Sequence, residues 1–370
     1  MPRTPPGDFY AVADPLPPGE PGDLIWAEQL RAPDGARAWR ILYHSRSLRG
    51  ADIAVSGIAI APISVPPDGG FPVVAYAHGT PGLGDSCAPS KDARALGDDG
   101  DDGEELRVAA LWTGTTVVVA TDYEGLGTPG RHPYLVGESE GRGVLDAVRA
   151  MRGLEDAGAG RDTIVVGVSQ GGHAALFTGQ VAPAYAPDVR LRGVVALAPA
   201  AELGQAALLL TGDESVTGFG VAIAAGFAAA YPHLDLADVL TPAALERLDV
   251  VDTGCIEDVL EAFAGPAGDI LRLEALVRPP WPELLQANSP GGVRTEVPVF
   301  VGQGTADPLV VPELTDALVA RMCAVGSDVT YRRYTGAAHG DVVEAARGDA
   351  LAWIADRLAG RPTGGGDCPG

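Results

Sequence analysis

Short apolar runs alternate along the chain with stretches of helical periodicity. The runs over 58–62, 73–77, 116–121, 163–167, 193–197, 299–301 and 328–334 read as strands. Most are unbroken Val, Ile, Ala or Leu rather than alternating, as strands buried on both faces require. Pro298 stands at the start of the sixth, where a missing N–H is tolerated. Between strands, residues 143–154 put Val144, Leu145, Val148, Met151 and Leu154 on one helical face. Residues 171–181, 311–325 and 345–358 also read as helices. This alternation predicts an α/β fold, a mainly parallel central sheet with helices on both faces. No internal repeat is found.

Residues 201–289 break the rhythm. They are rich in Ala and Leu, lack a convincing strand, and end in Pro279-Pro280-Trp281-Pro282. The apolar run over 221–231 is short and reads as a packed or cap helix. The expectation is a helical cap or lid, 201–289, inserted into a core formed by 1–200 and 290–370. Such a cap would cover the carboxyl edge of the sheet, where open α/β folds bind ligands. A Pro-rich arm, 1–22, would lie extended over the surface.

Composition narrows the classes. Among 370 residues, 26 Lys and Arg face 49 Asp and Glu, a net charge of −23, so nucleic acid is excluded as a partner. Hydrophobic content of 46% with 20% charged residues is globular. No apolar run approaches the roughly 20 residues of a spanning helix, so no stable membrane insertion is expected. Residues 1–8 hold no apolar stretch suited to a secretion signal. Cys87, Cys255, Cys323 and Cys368 show no C-x-x-C spacing, which argues against a zinc or redox motif, and no metal is expected. Four cysteines allow two bridges in three connectivities, or four unrelated thiols.

The sharpest local signal is Gly167-Val168-Ser169-Gln170-Gly171-Gly172, directly after a buried strand and opening a helix. That context fits a nucleophile elbow, where glycines relieve Cβ clashes and the serine Oγ projects from the sheet edge. The alternative is a glycine-rich turn with a capping serine. A serine needs a base and a group to orient the base, and Asp307 and His339 follow later strands in the order such hydrolases use. His44, His78, His132, His173 and His233 read as structural or surface residues, and Asp341 lies too near His339 in sequence to orient it. An oxyanion hole would draw one N–H from Gln170 and one from the 77–82 loop, with Thr80 the candidate because Pro81 cannot donate. Asp122 and Glu124 lie in a glycine-rich turn after another strand, and read as turn residues before they read as ligands.

Four segments, AHGTPGLGDSCAPS, TDYEGLGTPGRHPYLVGESEGRGVLDAVRAMR, GVSQGGHAAL and GQGTADPLV, together resemble the secretory lipase family over essentially the full chain. The resemblance implies an α/β-hydrolase fold acting on carboxylic esters. It implies a triad of Ser169, Asp307 and His339, an oxyanion hole of Gln170 and the Thr80 region, and bridges Cys87–Cys255 and Cys323–Cys368.

The expected function is a serine carboxylester hydrolase working through an acyl-enzyme, without metal or organic cofactor. Its partner would be a small-molecule or lipid ester, with oligomeric state unknown. Phe219, Phe227, Trp281 and Leu284 are candidate linings for short to medium acyl chains, with a core role as the alternative. An acyltransferase using the same acyl-enzyme and a catalytically silent binding protein are the rival readings. The family implies secretion with the signal absent from this chain, the alternative being a cytoplasmic protein.

Overall fold

A computed structural model of the chain describes residues 7–32, 34–91, 115–364 and 366–368. Of the expected Pro-rich arm, residues 1–6 lie outside the described residues. The strands are β1 (Leu24–Leu30), β2 (Ala36–Arg46), β3 (Asp52–Pro62), β4 (Phe71–Ala77), β5 (Val117–Thr121), β6 (Ala159–Val168), β7 (Arg190–Leu197), β8 (Val299–Gly304) and β9 (Val329–Tyr334). They pair in one sheet, in the order β1-β2-β3-β5-β4-β6-β7-β8-β9. From β5 to β9 every neighbour is parallel. The β1–β2, β2–β3 and β3–β5 pairs are antiparallel.

The sheet is thus mixed, and β1 and β2 lie where no strand was expected. Their sequences explain this. β2 reads ARAWRILYHSR, with Arg37, Arg40, His44 and Arg46 scattered among its apolar residues. Those polar side chains find partners in the fold: Arg46 and His44 both reach Asp52. An edge hairpin with one wetter face lacks the unbroken apolar run of a central strand.

The period of two sorts side chains between the two faces. Val73, Ala75 and Ala77 of β4 pack with helices α1 (Gly137–Gly153) and α2 (Gln170–Tyr185). Val74 and Tyr76 pack on the other face with Trp353 and Ile354 of the last helix, Val342–Leu358. α1 begins ahead of the expected 143 because its first turn is buried through polar contacts, Glu140 being fully enclosed.

Between β7 and β8 the chain is helical, running from α3 (Leu203–Leu210) and α4 (Thr217–Ala230) to a final helix at Trp281–Ala287. Val221, Phe227, Phe263 and Trp281 form a separate apolar cluster there. No described helix is long and apolar enough to cross a membrane. Two disulfides, Cys87–Cys255 and Cys323–Cys368, match the pairing that the family resemblance implies. The first ties the loop after β4 to this helical segment, and the adjacent Gly82–Cys255 bridge and Ile256 N–H to Pro81 carbonyl bond reinforce it.

Because Cys87–Cys255 closes a loop with a sequence separation of 168, its loss has a large effect on the unfolded chain. Replacing both cysteines by serine should lower stability by about 3–5 kcal/mol. Denaturant unfolding checks this, and an unchanged midpoint would contradict it.

Candidate active site

β6 runs into α2 through one residue, Ser169, whose φ of 57° and ψ of −118° are rare for a side-chain-bearing residue. The turn is tight because backbones meet there. A Cβ on Gly171 would strike the Ala77 carbonyl oxygen, and one on Gly167 would strike the Gly171 carbonyl oxygen. A Cβ on Gly172 would come within 2.9 Å of Pro199 Cα. Only glycine fits at these places. The turn is also held by its own peptide groups. Ser169 N–H donates to the Leu197 carbonyl at 2.9 Å, and the Ser169 carbonyl accepts from His173 and Ala200 N–H at 3.1 Å each.

The loop after β8 carries Asp307, buried at 3% exposure. Its Oδ1 accepts from Leu309 and Val310 N–H, both at 2.9 Å, and its Oδ2 from Gln303 Nε2 at 3.3 Å. The loop after β9 brings His339, whose Nδ1 lies 2.7 Å from Asp307 Oδ2. A carboxylate can only accept there, so Nδ1 carries the hydrogen, and in the neutral ring this leaves the lone pair on Nε2. No hydrogen bond joins Ser169 Oγ to His339 among the described residues. Asp341 instead accepts from Ala338 N–H at 3.1 Å, within its own turn.

Ser169 lines an apolar cavity with Thr80, Leu203, Phe219, Leu309 and Val310. Thr80 Oγ1 is 2.8 Å from Tyr134 OH. No turn or loop carbonyl takes the backbone N–H of Thr80 or of Gln170 among the described residues. Of the four expected lining residues, Phe219 faces this cavity and Trp281 an adjoining one. Phe227 lines neither. It is fully buried and stacked on Trp281 at 6.2 Å, a core residue of the helical segment. Leu284 also lines neither, packing against the same cluster. An apolar sequence pattern does not separate a helix's cavity face from its core face, which is why both were expected as lining.

Five buried polar residues beside the elbow form a network that the sequence reading did not assemble. Glu140 Oε1 accepts from Leu135 N–H at 3.1 Å and Gln170 Nε2 at 2.8 Å, and Glu140 Oε2 is 2.6 Å from His173 Nδ1. His173 Nε2 donates to the Asn288 carbonyl at 2.8 Å, and His132 Nε2 lies 2.8 Å from Gln170 Nε2. A buried Glu among His residues on other elements is the signal, yet these residues are scattered from 132 to 288. Asp122 and Glu124 serve the turn: Asp122 accepts from Ser56 and Ser90, and Glu124 from Ser139 Oγ at 2.5 Å. Among the described residues, no three His, Cys, Asp or Glu side chains are grouped to hold a metal ion.

Burial sets the charges here. Desolvation holds the His132 imidazole down at about 4, against an ordinary 6.5, opposed in part by Glu140. Glu140 is itself held below its ordinary 4.5; desolvation, the largest influence, pushes it up, but the His173 charge and hydrogen bond outweigh it. The unfolded chain therefore binds protons at His132 between pH 6.5 and about 4 that the folded chain refuses. Stability should fall as the pH drops through that window, by on the order of 3 kcal/mol, and further below 4.5 as the Glu140 contribution is lost. Urea unfolding across pH should show this slope, flattened above pH 4.5 in His132→Gln. Equal slopes in both proteins would exclude His132 as its source.

A protein of Mycobacterium tuberculosis named a probable inactive lipase is 28% identical over 89% of this chain and 75% of its own length. Lipase A of Arthroderma benhamiae is 25% identical over 93% of this chain and 78% of its own. The closed-state X-ray structure of Candida antarctica lipase A superposes with a TM-score of 0.83 at 18% identity, covering 98% of this chain and 88% of that one, a likeness of fold. The family model for secretory lipase matches residues 103–366, so the chain belongs to the secretory lipase family and is a carboxylic ester hydrolase of α/β-hydrolase fold.

Proposed function

We propose that this hydrolase works through an acyl-enzyme on Ser169, with His339 as base and Asp307 as its orienting acid. The reading rests on the 2.7 Å contact between His339 Nδ1 and Asp307 Oδ2, on a loop whose Leu309 and Val310 wall the cavity that Ser169 lines. His339 Nε2 takes the Ser169 Oγ proton as Oγ attacks the ester carbonyl carbon. The carbonyl oxygen becomes an oxyanion beside the Gln170 and Thr80 N–H groups. His339 then returns the proton to the departing alcohol. Water, deprotonated by the same imidazole, releases the acid and regenerates the serine. Asp307 fixes the tautomer and stabilises the imidazolium.

The cavity walls favour an apolar acyl group of short to medium length, and the residues 201–289 act as its cap. A net charge of −23 disfavours anionic surfaces, so neutral esters are the substrate class. Two disulfides and the family's secretory character support an extracellular setting. The silent alternative gains weight from the relative named a probable inactive lipase, although Ser169, Asp307 and His339 are all present here.

Ser169→Ala should fold normally and lose p-nitrophenyl ester turnover by about 10³-fold or more, and Asp307→Asn should lose a similar amount. Hydrolysis retained in Ser169→Ala would end the acyl-enzyme reading, and no turnover in the wild-type protein would favour the silent one. Product analysis with a competing alcohol separates hydrolysis from acyl transfer.

A further inference from the structure

The chemistry above uses the backbone of Gln170 and leaves its side chain idle. That side chain is not idle structurally. Gln170 is 1% exposed, and its Nε2 lies between Glu140 Oε1 and His132 Nε2, 2.8 Å from each. Chemistry dictates this orientation. Glu140 offers only acceptors, so the amide nitrogen must face it. His132 Nδ1 donates to the Glu124 carbonyl at 2.9 Å, which leaves Nε2 as the acceptor of a neutral ring. Both N–H groups of the carboxamide are therefore engaged, and its plane cannot turn without breaking one bond.

The two jaws are fixed in turn. His132 stacks on Tyr123 at 5.7 Å with an interplanar angle of 14°. Glu140 is held by Leu135 N–H and by His173. Both partners of the His173 ring, a carboxylate and the Asn288 carbonyl, only accept, so the ring is an imidazolium paired with Glu140. This clamp carries a penalty. Gln170 Oε1 is buried without a partner among the described residues. An apolar side chain of equal length would avoid that penalty but would leave His132 Nε2 without its donor and Glu140 Oε1 with one donor fewer, so the carboxamide is held by the two groups it satisfies.

We infer that Gln170 is a positioning residue, its clamped carboxamide fixing the direction of its own backbone N–H toward the oxyanion. The inference rests on the acyl-enzyme reading and deepens it. Ser169 sits at a strained φ of 57°, and rotation of the peptide joining it to Gln170 is the natural way to relax. A donor stabilises developing charge only if it is aimed before the reaction begins. The Ser169 carbonyl of that peptide is held by His173 and Ala200 N–H, and tethering the side chain on the Gln170 Cα at two further points adds to the resistance on the N–H side. The Thr80 donor is held in the same manner, through its hydroxyl on Tyr134.

The test is Gln170→Met, which keeps the length and removes both N–H groups. On a p-nitrophenyl ester, kcat should fall about 10–100-fold with KM within about twofold. An alkyl trifluoromethyl ketone probes the same donors without turnover. Ser169 Oγ adds to its carbonyl carbon, the Oγ proton passes to His339, and the former carbonyl oxygen becomes the oxyanion. Its Ki should rise in parallel with the loss in kcat, a change that the lower melting temperature expected from leaving His132 Nε2 unpaired does not by itself produce. His132→Phe, which keeps a ring against Tyr123 and frees one jaw, should show the same pattern at about 3–10-fold, and it decides the matter if Gln170→Met fails to fold. Unchanged kcat and Ki overturn the inference, as does a rise in KM alone. Ser169→Ala separates the two levels: turnover surviving there defeats the acyl-enzyme reading, whereas Ser169-dependent turnover with an unmoved Ki in Gln170→Met defeats only the clamp.

Discussion

At the end of β6 three backbones come close enough that Cβ atoms are shut out at Gly167, Gly171 and Gly172. This approach forces the chain from strand to helix within one residue, and Ser169 takes up the strain with a positive φ. Everything at the candidate site is arranged around that turn. β4 lies beside β6, so the loop after β4 falls next to the serine, and β7 on the other side supplies the Leu197 carbonyl that holds the Ser169 N–H. Tyr123 and Ala198 also have positive φ and follow β5 and β7, so backbone strain gathers along one edge of the sheet.

Such an edge needs support, and much of it is polar. Glu140, His173, Gln170, His132 and Asn288 are all buried, and they connect α1, α2 and the end of the helical segment before β8. An apolar core would pack there at less electrostatic cost, but directional hydrogen bonds hold orientation more tightly than dispersion contacts do. The Cys87–Cys255 bridge does the corresponding work on the other side of the serine, joining the Thr80 loop to the helical segment.

The sequence made the central strands legible because β4 to β8 are buried on both faces and therefore nearly unbroken in apolar residues. β1 and β2 escaped because Glu28 and Gln29 of β1 and the arginines and His44 of β2 dilute the pattern, and the partners that make the β2 residues acceptable are remote in the chain or in the adjoining strand. Ser169, Asp307 and His339 were visible individually, since Ser169 and Asp307 follow buried apolar strands at short turns and His339 lies in the glycine-bearing turn after β9. The Glu140 network was not, because a glutamate within a polar helix start reads as solvated until its partners on α2 are known. The expected linings failed in part for a related reason: Phe227 and Phe219 lie on one apolar helix, and only packing decides which of them meets the cavity.

On the proposed reading, the loop after β8 couples recognition to chemistry. The N–H groups of Leu309 and Val310 hold Asp307 Oδ1, while the same two residues wall the cavity beside Ser169. A ligand that displaces this wall moves the backbone that orients the carboxylate, and through it the imidazole. Acyl groups that fit leave Asp307 and His339 aligned, whereas oversized ones disturb the base itself. Selectivity for the acyl group then arises as much in kcat as in binding, because the residues that sense its bulk are those that aim the acid.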